Sequence, residues 1–511
     1  KENVTFVSAG KSQFDFSGRF VVSNVATLVN RLEALNPDEY GLVIVDEAHH
    51  LEGATTGALS FKLSQNDFEL LLKEIGGSNN GILGHIISST RNLIKPTEFA
   101  RINQIIQKSS EITFRLDTYA KDFFLALNEF ISIQREGKPP TQYAYQERIL
   151  HSSRTLPGWD NVEINWGSAS ESMSFLITNI SELFKACAEL YANGAEMMED
   201  SVDSLSTLLR RMNEVISAIN GMIHEPSADT IYWIEVQPMN RRLTLNTAPL
   251  RVGPLIEKYL WHDKSCVILT SATLTAAGDF TYLRNLLLAD EADELTLGSP
   301  FDYENSALLY LPNDIPEPNA PGYESAVNKA IIQTARATGG RMLVLFTSYA
   351  HLKRTSQAIT QSLNQNDIQI YEQGEGASPA SLLEAFKSNP RSVLLGTRSF
   401  WEGVDVPGES LSVVFITRIP FEVPSDPLVA ARSETFEDAF NEYQVPEAIL
   451  KFRQGFGRLI RSASDRGIVA ILDRRVMTKQ YGRLFIESLP RCTIQTASIN
   501  DLPKQATNWL L

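Results

Sequence analysis

The feature that most constrains this chain is a series of short, unbroken apolar runs. LVIV at 42–45, SCVILT, ALLYLP, RMLVLF, SVLLG, SVVFITR and GIVAILD lack the polar alternation of a half-exposed strand. Strands apolar on both faces belong in parallel sheets covered on both sides by helices. The intervening sequence agrees: YESAVNKAIIQTARAT and PASLLEAF carry helical spacing. Strand and helix therefore alternate from about residue 295 to the end, an α/β pattern with a parallel sheet. Near the start, RFVVSN reads as a strand, ATLVNRLEAL as a helix and GLVIVDEA as a second buried strand.

Between these blocks the texture changes. FELLLKEI, FARINQIIQ, AKDFFLALNEFISIQ, MSFLITNISELFKACAELY and SLSTLLRRMNEVISAING place apolar residues at helical spacing. A chain of 511 residues exceeds one core, and two to four domains are expected. IYWIEV and RLTLNTA then read as strands that resume the α/β block. The expected organisation is a first α/β region over 1–53, a mostly helical insertion over 54–228, a return to the first region over 229–294 and a second α/β domain over 295–511.

Composition narrows the partners. The formal net charge of −15 argues against diffuse electrostatic binding to nucleic acid and leaves a local groove open. Acid is dense in the insertion, at Asp160, Glu163, Glu171, Glu182, Glu189, Glu196, Glu199 and Asp200. The three cysteines, Cys187, Cys266 and Cys492, form no CxxC. Neither a disulfide framework nor a four-cysteine iron–sulfur cluster is expected from them. No apolar run approaches the roughly 18–20 residues that span a bilayer, and a cytoplasmic, monomeric protein is expected.

Four segments carry chemistry. In VIVDEAHH an acidic pair follows a buried strand, at the end where parallel sheets bind ligands. Asp46 suits Mg²⁺, which prefers hard oxygen ligands, and Glu47 is placed to orient or deprotonate a water. A surface turn that happens to be acidic is the plain alternative. In LLGTRSFWEGVDVPGESL, glycines permit close backbone approach to a ligand, and Thr397 is placed to meet a phosphate. Phe400 or Trp401 either stacks on a base, worth ~1–3 kcal/mol per base, or packs in the core. In FRQGFGRLIRSASDRG, Gln454, Arg458 and Arg461 share one face if one helix runs through them. Arginines aimed at a γ-phosphate stabilise transition-state charge; a solvated basic face is the alternative. Ser271, Ala272 and Thr273 end the SCVILTSATL strand, and the small hydroxyl residues among them can bond a neighbouring side chain such as His49.

Taken in order, DEAHHLEG, YWIEV, SATLT, GSPFDY, LVLFTSY, GTRSFWEGVDVPGE, RIPFEVPSDP, QGFGRLIRSASDRG, ILDRR and YG resemble the DinG/XPD-type superfamily-two DNA helicases, the bacterial DinG branch above all. The resemblance implies two RecA-like motor domains with ATP in the cleft and a helical arch inserted in the first. It implies Mg²⁺ and water roles for Asp46 and Glu47, with His49 in the same turn. Ser271, Ala272 and Thr273 would couple hydrolysis to DNA. Gly403 and Asp405 would sense nucleotide, and Gln454, Arg458 and Arg461 would face its phosphates. Thr397, Arg398, Phe400, Trp401 and Ser348 would lie toward DNA, in a groove with Arg341, Lys353, Arg354 and Arg418. The family moves 5′→3′ on single-stranded DNA, with forked or looped DNA as partner and repair or replication conflicts as setting.

One family part has no match. The first glycine of a GxxxxGK[ST] loop falls on Thr5 when Gly10-Lys11-Ser12 is aligned to it, no apolar strand of useful length is expected before it, and no helix follows. AGKS reads as a linker. The phosphate loop, and any iron–sulfur or exonuclease domain, is expected outside this sequence, with the first motor domain incomplete here. The competing readings are a catalytically incomplete DNA-binding or interaction protein, or a subunit of a defence or nuclease assembly.

Overall fold

The computed structural model describes residues 4–7, 20–23, 42–91, 93–136, 144–237, 242–276, 278–374, 376–401, 406 and 408–510. Gly10-Lys11-Ser12, the ATLVNRLEAL helix, Gly403 and Asp405 lie outside them. The chain divides into two compact units. The first comprises Lys1–Ala54, Val252–Pro424 and Arg432–Leu511; the second comprises Thr55–Arg251 and Ser425–Ala431.

The strands in chain order are β1 Val4–Val7, β2 Phe20–Ser23, β3 Leu42–Asp46, β4 Phe61–Ser64, β5 Tyr145–Arg148, β6 Thr230–Gln237, β7 Arg242–Pro249, β8 Cys266–Thr270, β9 Ala307–Pro312, β10 Met342–Leu345, β11 Gln369–Glu372, β12 Ser392–Gly396, β13 Val413–Ile416, β14 Gly467–Ile471 and β15 Thr493–Ala497. In the first unit, seven of them form one sheet in the order β11-β12-β10-β13-β14-β9-β15. Every neighbouring pair in it is parallel. The apolar runs explain this. Leu309, Leu343, Leu394 and Val414 enter one core, while Leu308, Val344, Val393 and Phe415 enter the other. The edge strand β15 was not among the runs read as strands, because TIQTA is short and half polar.

The same unit holds two smaller parallel pairs, β1-β2 and β3-β8. A strand thus does precede AGKS, contrary to the expectation from its short apolar length. The β3-β8 pair also corrects the reading of LVIV as buried on both faces. Val43 and Val45 enter a core with Leu51, Ile256, Leu260 and Leu287. Leu42, Ile44 and Ile268 on the other face are exposed.

The second unit is helical around one core, and it contains a sheet. Helices Pro96–Gln134 and Trp159–Ala192 are continuous, so two expected helices are one. Proline fits the first turn, where its missing N–H costs nothing. The two helices pair through aromatics: Phe123 meets Trp166 at 5.0 Å and Phe130 meets Trp159 at 5.1 Å between ring centres. Ser64 starts helix Gln65–Ile75 with a reciprocal Ser64–Asp67 capping box. Strands β6 and β7 do not resume the α/β block. They pair antiparallel with each other, with β5 and with β4, in the order β4-β7-β6-β5. The return to the first unit therefore falls at Val252, beyond the expected 229. Ile231, Trp233 and Ala248 of this sheet pack with Leu428 and Ala431.

Candidate active site

Strand β3 delivers the acidic pair at its carboxyl end, in register with β8: Asp46 lies opposite Thr270. The Thr270 hydroxyl donates to Asp46 Oδ1 at 2.7 Å. That bond, helped by the Glu47 backbone N–H, holds the Asp46 carboxyl below its ordinary range. Glu47 takes left-handed backbone angles, φ 51° and ψ 43°, a conformation non-glycine residues adopt at a cost. The turn swings the chain into Ala48–His50 and brings His49 back under β8. His49 Nδ1 lies 2.7 Å from Ser271 Oγ, and that hydroxyl also reaches Glu47 Oε2 at 3.1 Å. Burial, with His50 and Arg458 adding positive potential, pushes the His49 imidazole down to about 4. It is therefore neutral at pH 7, and its 3.3 Å approach to Glu47 is a polar contact rather than an ion pair.

The second set of residues arrives from helix Val445–Phe456, whose Val445, Ile449, Phe452 and Phe456 pack on the seven-stranded sheet. This corrects the expectation of one continuous face. The helix ends at Phe456 with Gly457 as its cap, so only Gln454 is helical. Arg458 follows in a turn, and Arg461 lies in the irregular chain beyond it. Arg458 Nε donates to the Gln454 carbonyl at 3.1 Å, and its charge acts on His49. Gln454 is buried, with its Oε1 making no hydrogen bond. The structure thus brings Asp46, Glu47, His49, Ser271 and Arg458 into one neighbourhood, built from two sheets.

A model of the "Helicase C-terminal domain" matches residues 331–492. The "3'-5' exonuclease DinG" of Bacillus subtilis is 28% identical over 482 residues, covering 91% of this chain and 50% of that protein. The "ATP-dependent DNA helicase YoaA" of Haemophilus influenzae is 33% identical over 353 residues, covering 65% of this chain and 54% of that protein. An apo XPD structure superposes with a TM-score of 0.55 at 15% identity, over 97% of this chain and 87% of that one. The chain is similar in sequence to DinG and YoaA DNA helicases and in fold to XPD. It has the α/β fold with two RecA-like domains, and it spans about half the length of the curated DinG and YoaA relatives it matches.

Several residues expected to contact nucleic acid have other partners in the structure. Phe400 and Trp401 are 1% and 4% exposed, so neither ring is open to a base. Two glycines make the room: a Cβ at Gly396 would lie 2.5 Å from Phe400, and one at Gly455 2.7 Å from the Trp401 ring. Trp401 Nε1 donates to the Phe346 carbonyl at 3.1 Å. Thr397 is buried, its N–H and hydroxyl both donating to Gln373 Oε1. Arg341 enters β10 at its amino end, away from the carboxyl ends where such sheets bind ligands. Lys353 pairs with Glu372 and Arg354 with Glu324, while Arg418 donates to the Pro318 carbonyl. Ser348 caps helix Tyr349–Asn364 by accepting the His351 N–H. Arg398 keeps an exposed side chain, 3.4 Å from Glu422.

Sequence reading missed three residues that shape the site. Gln373 fixes the Thr397 loop and also donates to Ser399. Asp465 is buried and accepts from the N–H groups of Arg461, Ser462 and Gly408 and from the Ser462 hydroxyl. Burial opposes its charge, yet those bonds hold its carboxyl below the ordinary range. The Ser462…Asp465 spacing, S-x-x-D, was the available signal. Arg453, beside Gln454, is the third.

Proposed function

We propose that the protein carrying this chain is an ATP-dependent DNA helicase or translocase that moves 5′→3′ on single-stranded DNA, including forked or looped DNA, in repair or in resolving replication conflicts. Residues 1–53 and those from Val252 to about 294 would belong to the first motor domain, Thr55–Arg251 to an arch-like insertion, and 295–511 to the second motor domain. The observation that carries this reading is the Asp46–Glu47–His49–Ser271 cluster, whose histidine lies in the field of Arg458. Hydrolysis needs an acid pair, a sensor of the DNA-coupled turn and a cation from the opposing sheet, and the four residues together with Arg458 would supply them.

The donor set fits magnesium. Asp46 and Glu47 offer hard, exposed oxygens, and Asp46 is held ionised by Thr270. Among the described residues no group of three or more His, Cys, Asp or Glu is placed to hold a metal. This suits an ion that takes one or two carboxylates and shares the substrate's phosphates. When bound, magnesium would neutralise charge developing on those phosphates. Asp46 would hold it, Glu47 would orient the attacking water and take its proton, and Gln454, Arg458 and Arg461 would face the phosphates. Gly403 and Asp405 would sense the nucleotide. No described helix is long and apolar enough to cross a membrane, and action on cytoplasmic DNA follows from the function proposed.

The test is Glu47→Gln in the whole protein. Loss of the carboxylate removes the base while keeping the shape, so DNA-stimulated ATP turnover should fall about 10²–10⁴-fold with nucleotide affinity preserved. Turnover at the wild-type rate would sink the proposal.

A further inference from the structure

Arg453 is the residue the reading above leaves unused. It lies one position before Gln454, on a helix whose apolar face belongs to the seven-stranded sheet, and it reaches the turn that follows β8. Its Nη1 donates to the Thr275 carbonyl at 2.6 Å and to the Thr275 hydroxyl at 2.8 Å, and Nη2 donates to the Ala272 carbonyl at 3.2 Å. Two carbonyls on either side of Thr273 are thus gripped by one planar fork. Within the turn, Ser271 Oγ accepts the Thr273 N–H at 3.2 Å and lies 2.7 Å from His49.

The electrostatics are unusual for an arginine. Burial lowers its proton affinity, with no carboxylate opposing the shift. A guanidinium in a surface ion pair is replaceable. One held on backbone carbonyls fixes where a loop sits, whatever side chains the loop carries. Two other bonds cross from the same side of the molecule: Tyr282 Oη donates to Glu447 at 2.7 Å, and Arg432 pairs with Glu52. Both end on helices. Arg453 alone of these three bears on the Ser271–Thr275 turn.

We propose that Arg453 is a positioning residue that couples the phosphate-facing end of helix Val445–Phe456 to the Ser271–Thr275 turn, and through Ser271 to His49 and Glu47. The inference rests on the function proposed above. A nucleotide that draws Gln454 and Arg458 moves Arg453 with them, because Arg453 adjoins Gln454 on the helix and Arg458 is bonded to the Gln454 carbonyl. The turn follows as a body because both of its carbonyls are held. DNA stimulation of ATP turnover, rather than turnover itself, depends on this link.

The experiment compares the wild-type whole protein with Arg453→Ala, Arg453→Gln and Thr275→Ala. The readings are ATP turnover without DNA, turnover against oligothymidylate concentration, oligothymidylate affinity by fluorescence anisotropy, and thermal melting. Arg453→Ala should keep DNA-free turnover and affinity for the oligonucleotide while the DNA-stimulated kcat falls about tenfold, equivalent to ~1.4 kcal/mol of barrier. Thr275→Ala, which leaves both carbonyls in place, should show a smaller loss. If Arg453→Ala does not fold, Arg453→Gln decides by the same readings. Equal stimulation in variant and wild type overturns this inference alone, as does a proportional loss of basal and stimulated rates. A wild-type protein that DNA does not stimulate overturns the proposed function and this inference with it.

Discussion

Two of the parallel sheets of the first unit are held in different ways. The seven-stranded sheet is buried on both faces over β9, β10, β12, β13 and β14. The β3-β8 pair, which carries the acidic residues, buries one face and exposes Leu42, Ile44 and Ile268 on the other. The first sheet is held by apolar packing. The second depends on fewer apolar contacts and on polar cross-links at its carboxyl end: Thr270 to Asp46, Ser271 to His49, and Arg453 to the following turn. Rigid scaffold and adjustable site are thus separate sheets, as expected where the moving parts come from the less stable region.

The contrast can be broken by substitution. Phe415→Ala, at a fully buried position of β13, should cost about 3–5 kcal/mol in chemical denaturation. Ile44→Ser, at 61% exposure, should stay within about 0.5 kcal/mol. A cost for Ile44→Ser near that of Phe415→Ala would show that the β3-β8 face is covered in the whole protein, and the contrast would fail.

Acid sharpens the same contrast, because each sheet has a histidine beside it, half-buried at His49 and buried at His351. His49 and His351 are both pushed down to about 4, chiefly by burial. His49 faces His50, Arg458, Asp46 and Glu47; His351 faces Glu324, Arg418 and Arg354. The unfolded chain takes up these protons near pH 6.5 and the folded one only near 4. Their contribution to stability is therefore complete above pH 6.5 and is lost as pH falls toward 4. Melting temperature followed from pH 7 to 4 should fall, and less steeply in His351→Phe. An unchanged slope in that variant would remove His351 from the account.

A small effect is also expected at the rim of the buried sheet. Arg398→Ala should change stability by less than about 1 kcal/mol, because its partner Glu422 meets it at an exposed position. If Arg398 contacts a phosphate, the same change lowers the salt dependence of DNA binding by about one ion. A salt slope equal to wild type would take Arg398 out of the groove.

Much of this fold was legible because apolar runs report parallel strands directly. Helix Tyr323–Thr338 coincides with its apolar pattern. Strand identity was easier to read than strand partnership. IYWIEV and RLTLNTA are strands, but their partners β4 and β5 come from far along the chain, so their sheet could not be inferred locally. The Asp46–Glu47–His49 turn and its contact with Ser271 followed from the end-of-strand rule. The ring positions of Phe400 and Trp401 did not, since they depend on absent Cβ atoms at Gly396 and Gly455, one of them in a distant helix. Helical spacing through Gln454, Arg458 and Arg461 misled because Gly457 stops the helix between the first and second of them.

The short helix Pro427–Ser433 changes what kind of object the insertion is. Asp426 caps its start by accepting the Leu428 N–H at 2.9 Å. Its early residues complete the apolar cluster of Trp233 and Ala248 in the second unit, while Arg432, one residue past the boundary, pairs with Glu52 in the first. The insertion is therefore not a cassette spliced in at two loops. One of its apolar clusters, apart from the main core, is finished by a segment that the chain supplies about 170 residues later. Grafting Thr55–Arg251 alone onto another scaffold would leave that cluster open, and a transplant would need Ser425–Ala431 as well.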